Sequence, residues 1–154
     1  MDHQTTYDTL LSHNSRDKRA IEQLAVRLRD EGLEVWFDEW NLVPGEPWQS
    51  AIERALATSR SVAVFVGGDG IRPWHELELR VALNRQVREG RGFRVIPVLL
   101  PEATVAPSAH LPAFLEQLTW VQFRDTLDDA TAWSIATVDG CKRCCWYATS
   151  SSWP

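Results

Sequence analysis

Ser61-Val62-Ala63-Val64-Phe65-Val66-Gly67-Gly68-Asp69-Gly70-Ile71-Arg72-Pro73-Trp74-His75-Glu76-Leu77-Glu78-Leu79 passes from an almost unbroken apolar run, through a glycine cluster, into a helical pattern. Ser61 to Val66 reads as a strand buried on both faces, as in the middle of a parallel sheet. Pro73 suits the first turn of the helix, because its missing N–H has no intrahelical partner to lose there. The spacing carries that helix to about Arg88. Trp74 and Glu78, four apart, lie one above the other on it. At about 100° per residue, Glu78 falls between the directions of Trp74, Val81 and Ala82, on the half that faces the protein. Two readings of this carboxylate stand. It is a solvated glutamate at the edge of an apolar stripe, with Arg85 near enough to pair with it, or it is a site residue. Glu76 points away from Trp74 and reads as solvated.

The flanks repeat the strand–helix alternation. Tyr7-Asp8-Thr9-Leu10-Leu11 reads as a first strand that stops at Ser12-His13-Asn14-Ser15, a cluster of turn and cap formers. Ser15 is the expected N-cap and Asp17 adds negative charge to the first turn. Ile21, Leu24, Ala25 and Leu28 keep a helical spacing, and Gly32 ends it. Leu33 to Phe37 is the second strand. Asp38 to Pro47 follows as a connection longer than the roughly 2–6 residues usual for such units. Trp48, Ile52, Ala55 and Leu56 form the apolar side of the next helix. Arg94 to Leu100 is the fourth strand, demoted somewhat by Pro97. Leu111 to Leu118 suggests one or two helical turns, Thr119 to Phe123 a fifth strand, and Asp128 to Ala136 a last short helix.

This order predicts an α/β fold, a flavodoxin-like doubly wound five-stranded parallel sheet with helices on both faces. Residues 5–138 form the expected domain, and residues 139–154 an irregular tail. Ligands of such sheets bind beyond the carboxyl ends of the strands at the switch point. That places Ser12 to Ser15, Gly67 to Arg72, and then Trp74 and Glu78, around the expected crevice.

Composition narrows the partners. A formal charge of −5 and a pI near 5.3 argue against direct nucleic-acid binding. No apolar run approaches the roughly 18 residues of a membrane span, and Met1 to Thr6 carry no signal-peptide core, so a cytoplasmic protein is expected. Cys141, Cys144 and Cys145 offer half a zinc site or a redox pair. With no second ligand pair and His3, His13, His75 and His110 scattered, free thiols and no metal are the expectation.

These residues together resemble the Toll/interleukin-1 receptor (TIR) domain, in style its bacterial NAD-cleaving members. Tyr7 to His13 is similar to the family's first-strand box. Trp36-Phe37-Asp38-Glu39-Trp40-Asn41-Leu42-Val43-Pro44-Gly45 is similar to its second strand and "BB" loop. Gly70 to Glu78 resembles the tryptophan-x-x-x-glutamate segment, and Trp120 to Phe123 the fifth strand. The resemblance spans about Tyr7 to Asp129. Arg72 stands where many members have glycine, and the chain after Ala136 departs from the family's last helix.

The resemblance implies cleavage of NAD at the nicotinamide–ribose bond, giving ADP-ribose or a cyclic isomer. It implies a role in bacterial defence signalling, with NAD as substrate and no cofactor. Glu78 corresponds to the catalytic glutamate. Trp74 then offers a face to the pyridinium ring, or simply packs in the core. Ser12 and His13 bond ribose or phosphate, or only satisfy their turn. Asp38 holds a ribose hydroxyl or steadies its loop. The glycines from Gly67 to Gly70 give room for a ligand or an unusual turn. Trp40, Asn41, Leu42, Val43, Pro44 and Gly45 form the expected assembly loop, an exposed tip that docks on another copy, unless its apolar groups fold back on their own domain. The expected partner is a homo-oligomer through TIR–TIR contacts, with a separate sensor or effector chain as a further partner because no sensing domain is visible. The alternatives are a non-catalytic TIR scaffold and a nucleotide-binding sensor.

Overall fold

A computed structural model describes residues 7–69, 73–101, 103, 115 and 117–129, with residues 73–78 and 91 described through their backbone alone. Most of the two short helices expected near the C-terminal end, and all of the tail, lie outside the described residues. Five strands form one parallel sheet: β1 (Tyr7–Ser12), β2 (Val35–Trp36), β3 (Ser59–Val66), β4 (Arg94–Leu99) and β5 (Val121–Gln122). Their order is β2-β1-β3-β4-β5, the expected flavodoxin-like arrangement. Between them run α1 (Lys18–Asp30), α2 (Asp38–Asn41), α3 (Trp48–Thr58) and α4 (Pro73–Glu89).

The strand period of two divides the core between the two faces. Leu11, Ala63 and Phe65 pack with Ile21, Leu24 and Leu28 of α1. Leu10, Val62 and Val64 pack on the opposite face with Ala55 and Leu56 of α3 and Leu79 and Ala82 of α4. Gly32, at φ 90°, ends α1 in a Schellman motif: its N–H reaches the Arg29 carbonyl at 2.9 Å and that of Leu33 reaches Leu28 at 3.1 Å. Leu28 and Leu33 are both buried in the α1 core.

Pro97 does not demote β4, which lies between β3 and β5. The N–H of Leu100 points to β3, donating to Val66, while the Leu99 carbonyl points to β5, accepting from Phe123. Alternation then turns the Pro97 nitrogen toward β5, whose pairing starts one residue later, at Val98. The missing donor falls where no ladder bond is due.

Two local expectations are corrected. Asn14, not Ser15, is the cap: its side chain accepts from the Arg16 N–H at 3.3 Å and opens a 3-10 turn over Ser15–Asp17 that precedes α1. The stretch after β2 is not all loop either. Asp38–Asn41 makes one helical turn, held by the Asn41 side chain, which accepts from the Phe37 N–H at 3.0 Å.

Candidate functional site

The C-terminal ends of β1, β2 and β3 come together at the switch point. His13 follows β1 directly and its side chain is only 5% exposed. Its Nδ1 stands 2.9 Å from the Asn14 carbonyl and its Nε2 3.1 Å from Asp38 Oδ1. A carbonyl only accepts, and so does an ionised carboxylate, so both ring nitrogens are called on to donate. Burial pulls the ring's pKa down, but the Asp38 hydrogen bond, the Asn14 carbonyl and the negative charges of Asp38 and Asp17 outweigh it and hold the pKa above 6.5. The ring packs on Phe37, with centroids 5.4 Å apart, and Phe37 meets Trp40 edge-on at 5.3 Å. The Arg29 guanidinium covers the Trp40 ring at 4.5 Å.

Of the two roles considered for His13, the geometry serves the turn: both nitrogens are occupied within the protein. Asp38 is partly exposed, and its Oδ1 also accepts from the Glu39 N–H at 2.8 Å. Ser12 is buried at the β1 end, in register with Val64. It lines a narrow cleft with Leu56, Val64, Leu79 and Ala82, between the sheet and the helices α3 and α4. Trp74 and Glu78 lie on α4, and the residue that follows Glu78, Leu79, is buried against the sheet. The side chains of Trp74 and Glu78 are outside the described residues, as are Gly70 to Arg72.

Arg85, weighed above as a partner for Glu78, is engaged by other groups. Its guanidinium donates to the carbonyls of Leu56 and Ser59, pairs with Glu89 at 2.8 Å and covers the Phe93 ring at 4.2 Å. The space at Gly67 is not left to a ligand. A β-carbon there would meet both Asp17 carboxylate oxygens at 2.5 Å, so Asp17 occupies it. Beside this contact, Arg16 Nη1 pairs with Asp69 Oδ2 at 2.9 Å. Asp17 was legible only as a charge at the helix start; the residues that it and Arg16 meet lie some fifty positions downstream, and spacing carries no signal for that.

The expected exposed tip is only partly exposed. Trp40 packs against the α1 core and Leu42 against the opposite one, while Asn41 is half-buried. Val43 is 56% exposed, Pro44 and Gly45 are exposed with it, and Gly45 takes φ 91°. Lys18 pairs with Glu39 and joins α1 to α2.

A family model described as the TIR domain matches residues 10–135. The chain belongs to the TIR domain family. Among curated relatives of this TIR domain, the 2′ cyclic ADP-D-ribose synthase BtTIR of Bacteroides thetaiotaomicron is 35% identical over 92 residues, 58% of this chain and 31% of its own. The NAD(+) hydrolase PdTIR of Paracoccus denitrificans is 27% identical over 128 residues, 82% of this chain and 42% of its own. The NAD(+) hydrolase TcpA of a Theionarchaea archaeon is 33% identical over 100 residues, 64% of this chain and 30% of its own. This TIR domain thus spans less than half the length of each. Any single span covering 58% of 154 residues contains the whole of Pro73–Glu89, so each of these matches crosses α4. Two solved structures share the fold. The TIR domain of the Toll-related receptor TRR-2 from Hydra magnipapillata has a TM-score of 0.61 at 20% identity, over 77% of this chain and 85% of that one. A metazoan TIR-STING receptor from C. gigas has a TM-score of 0.67 at 21% identity, over 86% of this chain and 38% of that one. Among the described residues, no helix is long and apolar enough to cross a membrane.

Proposed function

We propose that this TIR domain cleaves NAD+ at the nicotinamide–ribose bond, releasing nicotinamide and either ADP-ribose or a cyclic ADP-ribose isomer. The observation that carries the reading is the match to relatives named for these two activities across the whole of α4, the helix that bears Trp74 and Glu78. Glu78 is the proposed catalytic residue. Expelling nicotinamide leaves an oxocarbenium-like ribose, which a carboxylate beside the sugar stabilises. The pyridine departs neutral and takes no proton, so one carboxylate suffices. Trp74 supplies a face for the cationic ring, a contact of about 0.5–2 kcal/mol. Ser12 is the proposed polar contact in the cleft beside α4, and Asp38, partly exposed at the end of β2, the second.

Activity is proposed to depend on self-assembly in the cytoplasm, through the exposed tip Val43, Pro44 and Gly45, as part of defence signalling. That tip also supports the second reading, a non-catalytic scaffold that joins TIR domains. Incubation of purified protein with NAD+, scored by nicotinamide release, separates the two. Turnover lost in Glu78→Gln supports cleavage, and equal turnover in both proteins at high concentration rejects it.

A further inference from the structure

We infer that His13 is a positioning residue: as an imidazolium it ties the end of β1 to α2, and so sets the exposed tip Val43 to Gly45. The inference rests on the proposed assembly through that tip and not on the NAD chemistry. The ring bridges two acceptors, the Asn14 carbonyl at 2.9 Å and Asp38 Oδ1 at 3.1 Å. A neutral imidazole has one N–H, so it satisfies one acceptor and turns a lone pair on the other. At 5% exposure of the side chain, bulk water is kept from mending that conflict. Two carboxylates act on the cation: Asp38 from α2, and Asp17 from the turn before α1.

The tie is transmitted through short bonds. The oxygen that receives His13 also accepts the Glu39 N–H at 2.8 Å, inside the single turn of α2. The backbone carbonyl of Asp38 receives the N–H of Leu42 at 2.9 Å, and Leu42 is the residue before the tip. The other ion pair on α2, Lys18 with Glu39, has both side chains nearly half exposed, so solvent weakens it. Phe37, the residue before α2, is held between the His13 and Trp40 rings, so Trp40 within α2 packs on the same imidazole through Phe37. Loss of one ring proton therefore leaves a lone pair facing either Asp38 or the Asn14 carbonyl, so one end of the bridge fails and the mount of the tip loosens.

Long-range 1H–15N NMR of the His13 ring, the backbone amides of Val43 and Gly45, and sedimentation of the full chain are followed over one pH series. We expect both ring nitrogens protonated on the acid side of the ring's own midpoint, tip amides that move with that midpoint, and self-association that weakens about tenfold across it. In Asp38→Asn the amide can donate to a neutral ring, so the ring should titrate at lower pH and the tip should cease to follow it. A ring singly protonated at pH 6.5 and below, tip amides indifferent to the titration, or a chain monomeric at every pH would each overturn the inference, and the wild-type series decides even if the variant fails to fold. NAD+ turnover in the same samples keeps the readings apart. Absent turnover with pH-linked association rejects the cleavage reading alone, and turnover with an unresponsive tip rejects this one alone.

Discussion

The carboxylate of Asp17 lies against the α-carbon of Gly67, where an added β-carbon would stand 2.5 Å from both its oxygens and 2.7 Å from Cγ. The turn after β1 and the turn after β3 are thus interlocked across the switch point. Gly67→Ala must push Asp17 aside, and we expect a loss of about 1–3 kcal/mol in urea unfolding. Because the obstacle is a side chain, Asp17→Ala should remove most of that penalty. A double-mutant cycle should return a coupling of about 1 kcal/mol or more; additive losses would show that the glycine does not serve Asp17.

The stability of the fold should decline as the solution becomes alkaline. His13 has a folded pKa raised above 6.5. A group of this kind contributes its full stabilisation below its unfolded value, and loses it as pH rises through the folded one. In the window above pH 6.5 the folded state binds more protons than the unfolded state, so the slope is negative. Chemical denaturation at stepped pH measures it. In Asp38→Asn the slope should flatten, and a slope unchanged by that substitution would assign the effect to another group.

Arg85 should be among the costlier polar side chains to remove from α4. Its guanidinium satisfies the carbonyls of Leu56 and Ser59 at the end of α3 and covers Phe93. Helix-end carbonyls lack partners in their own helix. Arg85→Met should cost about 2–3 kcal/mol. Arg85→Lys keeps the charge but cannot reproduce the fork with the stacked plane, so it should recover only part. Thermal unfolding of the three proteins makes the comparison.

The tip should tolerate changes that assembly does not. Val43 is 56% exposed, so Val43→Asp should shift folding stability by less than about 0.5 kcal/mol while weakening self-association. Gly45 has open space around it but a left-handed backbone, φ 91°. Gly45→Ala should therefore cost about 1–2 kcal/mol from strain alone. Sedimentation and denaturation on the same samples separate these effects.

Glu78→Gln should lower NAD+ turnover by about a hundredfold or more, the scale of losing one preorganised electrostatic contact in a transition state. Its melting temperature should stay close to that of the parent. A large fall in both would make the carboxylate a structural group first.

Much of the fold was legible because its signals are local. The apolar run through Val66 and the alternation of Leu10 with Leu11 report burial on two faces, and the caps and glycines mark the turns. What escaped depends on contacts made across the chain. The helical turn Asp38–Asn41 needs the Asn41 side chain folded back to Phe37. Asn41 also meets the Tyr7 hydroxyl at 3.5 Å, a partner far away in sequence. The same holds at the site. Ser12, His13 and Asp38 were recognisable as strand-end polar groups, but that His13 spends both nitrogens inside the protein follows only from the meeting of β1 with the end of β2. Gly67 looked like room for a ligand, since a glycine shows its vacancy and not its tenant.

The sheet tapers toward both rims. β2 and β5 carry two residues each, whereas the inner strands carry six to eight. A strand offered by another molecule would find two rungs to grip, against the roughly 5–6 residues of an ordinary strand. Main-chain zippering, the route to nearly irreversible fibrils, is thereby closed at both margins. Among the described residues, what remains for a second copy to meet is side chains on loops and helices. Such contacts are fewer and more easily undone, so the proposed assembly should be reversible by dilution.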